Sequence, residues 1–142
     1  MADRKNIPEG FFIYATRENG FFPSVIFDRW RVAFLNYFDV VEKELLYRLE
    51  RHFQTDEVFV LLRGKAWLIG AGDEDKPKAP KAFPMEPGTI YNIRRNIWHH
   101  VILSRDASVL IVENADTGNE NSAYAELCAK DTARLKAEIQ ID

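Results

Sequence analysis

The sequence predicts an all-β domain with a C-terminal helix packed outside it, and three observations carry that expectation. Short apolar runs recur between Trp30 and Glu113. Gly64 and Gly88 stand where successive strands should turn. From Ser122 onward the composition shifts to Ala, Glu and Lys with helical spacing. Strands punctuated in this way belong to a sandwich or barrel rather than to an alternating α/β fold.

The first run, Trp30 to Phe38, places Trp30, Val32, Phe34, Asn36 and Phe38 on one face. Leu45 to Phe53 follows, then Val58 to Leu62, a turn at Arg63-Gly64, and Lys65 to Gly70. Gly70 to Pro80 has the glycine, proline and charge content of an exposed excursion between two strands. Thr89 to Ile93, His99 to Leu103 and Ser108 to Glu113 complete the set. In the tail Ser122 reads as an N-cap, and Tyr124, Leu127, Cys128, Leu135 and Ile139 share a stripe broken at Asp131. A helix over about 122–139 is therefore expected. With 142 residues and no linker or repeat, residues 1–142 are expected to form one domain.

Several strands are apolar on both faces, since Val58, Val60 and Leu62 oppose Phe59 and Leu61. A barrel's outward face needs cover in that case. The helix, the aromatic N-terminal segment or a second subunit could supply it, and a homodimer is one expectation.

The composition is that of a globular protein, 46% apolar and 29% charged, with a net charge of −3 and no basic stripe. Nucleic-acid and membrane-surface partners are not expected. No run of apolar residues is long enough to span a bilayer, and Met1-Ala2-Asp3-Arg4-Lys5-Asn6 lacks the apolar core of a secretory leader. A cytoplasmic protein is expected. The single cysteine, Cys128, allows no internal disulfide and reads as a buried structural thiol. A nucleophile elbow, a phosphate-binding loop and a dinucleotide fingerprint are all missing from the sequence.

Chemistry concentrates in two segments. Glu50, His52 and Glu57 lie in Glu50-Arg51-His52-Phe53-Gln54-Thr55-Asp56-Glu57, and Trp98-His99-His100 follows later. Glu50 and His52 share one side of a strand, roughly 7 Å apart at the backbone. Glu57 returns at the start of the next strand, and His99 arrives from a remote one. Imidazole and carboxylate donors together suit Fe(II), Mn, Ni or Zn. His100 must point away from His99. Arg48 shares the side of Glu50 and His52, so it either neutralises Glu50 or grips a substrate carboxylate. Trp30, Tyr37 and Trp67 are pocket-lining or core residues, and Arg94-Arg95 sit in the turn before His99.

The two segments resemble the paired motifs of the cupin superfamily. The first motif runs Gly-x5-His-x-His-x3–4-Glu-x6-Gly; here Glu50 stands at the first histidine, His52 at the second, and Glu57 and Gly64 keep the spacing. Glu44 replaces the leading glycine. In the second motif, Gly-x5-Pro-x-Gly-x2-His-x3-Asn, Gly88 and His99 match in register, while Arg94, Asn96 and Leu103 replace proline, glycine and asparagine. Asn96 can make the left-handed turn of the lost glycine. Within the superfamily, Glu50 to Phe59 with Trp98-His99 is similar to small ureidoglycolate-lyase-like members.

The resemblance implies a jelly-roll barrel, commonly dimeric, with a divalent metal ion in its mouth held by His52, Glu57, His99 and Glu50. Glu50 is either the fourth ligand or a general base standing behind three ligands. The resemblance implies an enzyme on a small polar, anionic metabolite, with lyase, isomerase and dioxygenase chemistry open. Its alternative is a module that binds a small molecule without turnover. A β-sandwich with His52 and His99 far apart would remove the metal reading.

Overall fold

The described residues form ten strands, most of them rich in apolar and β-branched side chains, and one α-helix follows them. They are β1 (Phe21–Phe27), β2 (Trp30–Asn36), β3 (Arg48–His52), β4 (Glu57–Arg63) and β5 (Ala66–Gly70), then β6 (Lys81–Pro84), β7 (Ile90–Ile93), β8 (His99–Leu103), β9 (Ser108–Asn114) and β10 (Ser122–Glu126), with α1 at Ala129–Glu138. The computed structural model describes residues 4–141; Met1, Ala2 and Asp3 of the charged N-terminal stretch, and Asp142, lie outside the described residues.

Two five-stranded antiparallel sheets face each other, in the orders β1-β2-β9-β4-β7 and β10-β3-β8-β5-β6. This is the cupin jelly roll. Residues of one parity fill the space between the sheets: Leu35, Phe59 and Ile111 from the first meet Leu68, Val101 and Leu103 from the second. The opposite parity of the second sheet makes a separate cluster outside the barrel. There Leu49, Ile69, Trp98 and Ile102 pack under Leu135 and Ile139, so α1 covers that sheet as the tail pattern predicts. Each such fully buried aliphatic contributes roughly 1.5–3 kcal/mol.

The excursion 71–80 links β5 to β6, which pair antiparallel. It lies against the barrel through Trp98, whose amide donates to the Gly72 carbonyl and whose indole donates to that of Glu74. Among the described residues no helix is long and apolar enough to cross a membrane.

Three strands differ from the sequence expectation. β1 carries Pro23 at a register shift on a sheet edge, where a missing N–H is tolerated. β6 is a short edge strand ending at Pro84. The third difference is a correction: Ser122 caps no helix, because Ser122–Glu126 is β10, paired along its whole length with β3. Unpaired amides on β3 outweigh the helix propensity of Ala and Glu. The helix starts at Ala129, with Cys128 as its N-cap accepting from the Asp131 amide; the thiol is exposed rather than buried. Trp30, Tyr37 and Trp67 line no cavity at the metal-type cluster: Trp30 is exposed against Phe27, Tyr37 donates to Glu42, and Trp67 packs outside the second sheet.

The turn between β4 and β5 tolerates only glycine. Gly64 has φ +74°, and a Cβ there would stand 2.5 Å from the Ala107 Cα. Backbone blocks it, so neither a rotamer change nor a small shift relieves the clash. Gly64→Ala is expected to lower stability by about 2–4 kcal/mol, read as a fall in the urea midpoint at unchanged slope.

Candidate metal centre

Register assembles the site. On β3, Glu50 and His52 lie two residues apart and face the barrel interior, and Glu50 is paired directly with His99 at the start of β8. Glu57 opens β4, and its side chain enters from the opposite sheet. Three hydrogen bonds hold these segments together. The Asp56 carboxylate accepts from the Arg95 amide at 2.9 Å and the Asn92 side chain at 3.1 Å, contacts that keep its pKa below the usual range. The Asn96 amide donates to the His52 carbonyl at 2.7 Å, and Asn96 adopts φ +70°, the left-handed turn expected of it.

His52 Nε2 and His99 Nε2 both reach Glu57 Oε1, at 3.1 and 2.8 Å. Glu50 Oε1 stands further off, 3.8 Å from His52 Nε2 and 3.9 Å from His99 Nε2. The imidazole centroids are 5.3 Å apart. A site-free sandwich with distant histidines is therefore not what the chain forms. His99 Nδ1 lies 2.9 Å from the Ile97 carbonyl, which can only accept, so Nδ1 carries hydrogen. His52 Nδ1 contacts the Ser122 hydroxyl at 2.7 Å.

Burial sets the electrostatics. It disfavours charge on His99, yet the Glu57 hydrogen bond and charge overcome it and raise its pKa to about 9. His52 is raised through the same balance. Burial also works against an ionised Glu57, but hydrogen bonds from both imidazoles hold its pKa well below the usual carboxylate range. Glu50 moves the other way, raised by burial and then by the Glu57 charge.

Donors about 2.0–2.2 Å from one ion stand roughly 3–4 Å from each other. All four ligand atoms here lie within 4.8 Å of one another, with both Nε2 atoms aimed inward and the His99 Nδ1–H tied outward to a carbonyl. That outward bond is the one that orients a ligating imidazole. The donor set fits a divalent ion, with His52, His99 and Glu57 as its tightest part and Glu50 at the open side.

A cavity of about 330 Å³ opens onto these residues. Arg48 lines it with its guanidinium 4.1 Å from the Tyr124 ring centroid, and it makes no ion pair with Glu50 among the described contacts. His100 points to the other face of β8, where Nε2 meets the Val40 carbonyl and burial lowers its pKa to about 4.

One buried pair in the cavity is not foreseen from the sequence. Arg31 donates to Glu113 Oε1 at 2.8 Å and to the carbonyls of Ala115 and Thr117. Glu113 stands against Glu57; burial and then the Glu57 charge raise its pKa to about 7, against the pull of Arg31. Alternation on β2 and β9 puts both side chains inward, and an isolated charge in each apolar run is the available signal. Ser122 and Tyr124, read from the sequence as helix residues, reach the cavity because they belong to β10.

A family model described as ureidoglycolate lyase matches residues 28–135. The chain belongs to the ureidoglycolate lyase family. Ureidoglycolate lyase 1 of Rhizobium meliloti (strain 1021) is 31% identical over 75 residues, 50% of this chain and 44% of that protein. This family member thus spans about half the length of the curated relatives it matches. Among solved structures, Streptomyces PAC13 with uridine superposes at a TM-score of 0.57 and 8% identity, over 85% of this chain and 97% of that one. The QdtA 3,4-ketoisomerase from Thermoanaerobacterium thermosaccharolyticum in complex with TDP gives 0.52 at 17% identity, over 68% and 67%. Both likenesses concern the fold.

A divalent ion at this family member's Nε2 atoms would compete with protons. The folded pKa of His99, about 9, exceeds the unfolded value of about 6.5, so its contribution to stability is complete below about 6.5 and lost as pH rises through about 9. Chelator-treated protein is expected to melt several degrees lower at about pH 9.5 than at about pH 6.5. Added Zn or Mn should cancel that loss, because metal takes the site of the departing proton. Thermal melts at both pH values, with His99→Gln as the control that flattens the dependence, make the check.

Proposed function

We propose that the chain is a metal-dependent lyase acting on ureidoglycolate or a close ureido acid, with residues 1–142 as one cupin domain. The observation that carries the reading is the His52–Glu57–His99 cluster at the inner end of a cavity that also exposes Arg48 and Glu50, in a member of this family. The substrate joins a carboxylate to a carbon bearing a hydroxyl and a ureido nitrogen, and each part has a counterpart.

Arg48, stacked on Tyr124 and free of a carboxylate partner among the described contacts, binds the substrate carboxylate. A divalent ion (Fe, Mn, Zn or Ni) held by His52, His99 and Glu57 supplies Lewis acidity toward substrate oxygen when bound. Glu50 is the base. It is half-buried at the cavity, and burial raises its pKa above the ordinary carboxylate value, which makes it a stronger base toward a substrate hydroxyl. Glu50 takes the hydroxyl proton, the O–H electron pair becomes the carbonyl, and the C–N bond breaks. The departing nitrogen collects the proton from Glu50. Glyoxylate and urea leave, and atoms balance without oxidant or water. Cytoplasmic action suits the unpaired thiol of Cys128.

A binding module without turnover is the second reading. The observation favouring it is the match to less than half the length of the curated relatives.

Urea release from ureidoglycolate by metal-reconstituted protein tests the proposal. Glu50→Gln is expected to lower kcat about 10²–10⁴-fold, the range of a lost general base, with bound metal retained. Arg48→Ala should chiefly raise KM, and Arg48→Lys should recover only part of it. His52→Ala and His99→Ala should lose both metal and activity. Ureidoglycolate binding without urea release would favour the module, and protein that takes up no metal would end the metal-dependent lyase mechanism.

A further inference from the structure

We infer that the apolar half of the cavity takes a hydrocarbon group on the substrate. The ligand is then a ureido acid with a substituent of about four to six carbons on its terminal ureido nitrogen. This rests on the reading of Arg48 and the ion-binding cluster given above and extends it to the rest of the same cavity.

Register divides the cavity in two. β4 and β8 both begin at the ion-binding end, with Glu57 and His99. One strand repeat further in, their next inward side chains are Phe59 and Val101, and the partner of Phe59 on β9 is Ile111. One repeat beyond Ile111 stands Val109, paired with Leu35. Phe59, Val101, Ile111 and Leu35 belong to the inner core and line the cavity. Phe21, the partner of Leu35 on β1, and Val40, in the segment after β2, line it as well. These two remain 36% and 52% exposed. Large apolar side chains left open at a cavity are the surface that the apolar part of a ligand covers.

Charge gathers at the other end. Arg31 pairs across the strands with Glu113 in the row of Glu57, beside His52 and His99. Arg48 marks the boundary, because antiparallel register about Glu50 and His99 sets it level with Val101. His100, the polar group beside Val40, is already committed to that residue's carbonyl.

Length sets the size of the substituent. Arg31 and Leu35 both line the cavity and stand four residues apart on β2, roughly 14 Å along the strand. From carboxylate to terminal nitrogen, ureidoglycolate has the reach of two extended residues, about 7 Å. It therefore fills about half of that length. With the carboxylate on Arg48 and the hydroxyl at Glu50 and the ion, only the ureido arm is left to extend. About six further bonds of extended chain make up the difference.

Titration calorimetry on the full chain supplied with Zn is the test, with ureidoacetate and its N′-butyl derivative as probes. Neither probe carries the hydroxyl, so neither reacts, and affinity is read apart from turnover. The N′-butyl compound is expected to bind at least about tenfold more tightly, the usual gain of a hydrocarbon group in an apolar pocket. Phe21→Ser and Val40→Asp alter side chains already exposed to solvent. Each is expected to cut the preference at least about fivefold, with far-UV circular dichroism unchanged. Equal or weaker binding of the N′-butyl compound overturns the inference, as does a preference that both variants leave intact. If neither probe binds, the inference falls together with the carboxylate role of Arg48. Failure of the lyase reading alone has a different signature: no urea or butylurea is released from the corresponding ureidoglycolates while the affinity ratio stands.

Discussion

A carboxylate as buried as Glu57 costs several kcal/mol in a folded protein unless opposite charge meets it, and here His52 and His99 meet it from the facing sheet. Much of the barrel's construction serves that encounter. The β3–β8 register sets Glu50 opposite His99, Asp56 ties the turn before Glu57 to the loop before His99, and Asn96 closes that loop back onto the His52 carbonyl. The Ile97 carbonyl and the Ser122 hydroxyl orient the far edges of the two rings. A shift of one residue in β3 would turn both of its site side chains out of the barrel.

The same cluster gives three carboxylates different states. Glu57 is held ionised by two imidazoles, Glu113 beside it is driven toward the neutral acid, and Glu50 at the cavity is raised by burial and by the Glu57 charge. Environment creates these differences, since all three are glutamates. The closest contacts mark the part of the site suited to grip an ion, and the looser, better exposed Glu50 marks the side open to the cavity.

How much is legible without coordinates follows from where the signal lies. His52, Glu57 and His99 stand in two spaced motifs, and strand alternation alone puts Glu50 and His52 on one side, so the site can be located from sequence. The central strands are clear because Val58 to Leu62 and His99 to Leu103 are strongly β-forming. β10 is illegible for a physical reason: Ser-Ala-Tyr-Ala-Glu has no strand pattern of its own and is extended because β3 needs a neighbour. Arg31 and Glu113 are equally hidden, each a lone charge in an apolar run whose partner lies more than eighty residues away. Cys128 reads as core by residue type and caps a helix by position.

The late position of β10 has a kinetic consequence. β3, which bears His52, is bridged to β8 essentially at Glu50 and His99, and its other edge is satisfied only by Ser122–Glu126. During synthesis or refolding, the histidine pair cannot be fully oriented until some seventy residues beyond His52 have emerged and folded back. Contacts of such long range are slow to form because loop closure comes first. The His52–Glu57–His99 cluster is thus a late product of folding, and a nascent chain with β3 still an open edge holds these side chains without their geometry.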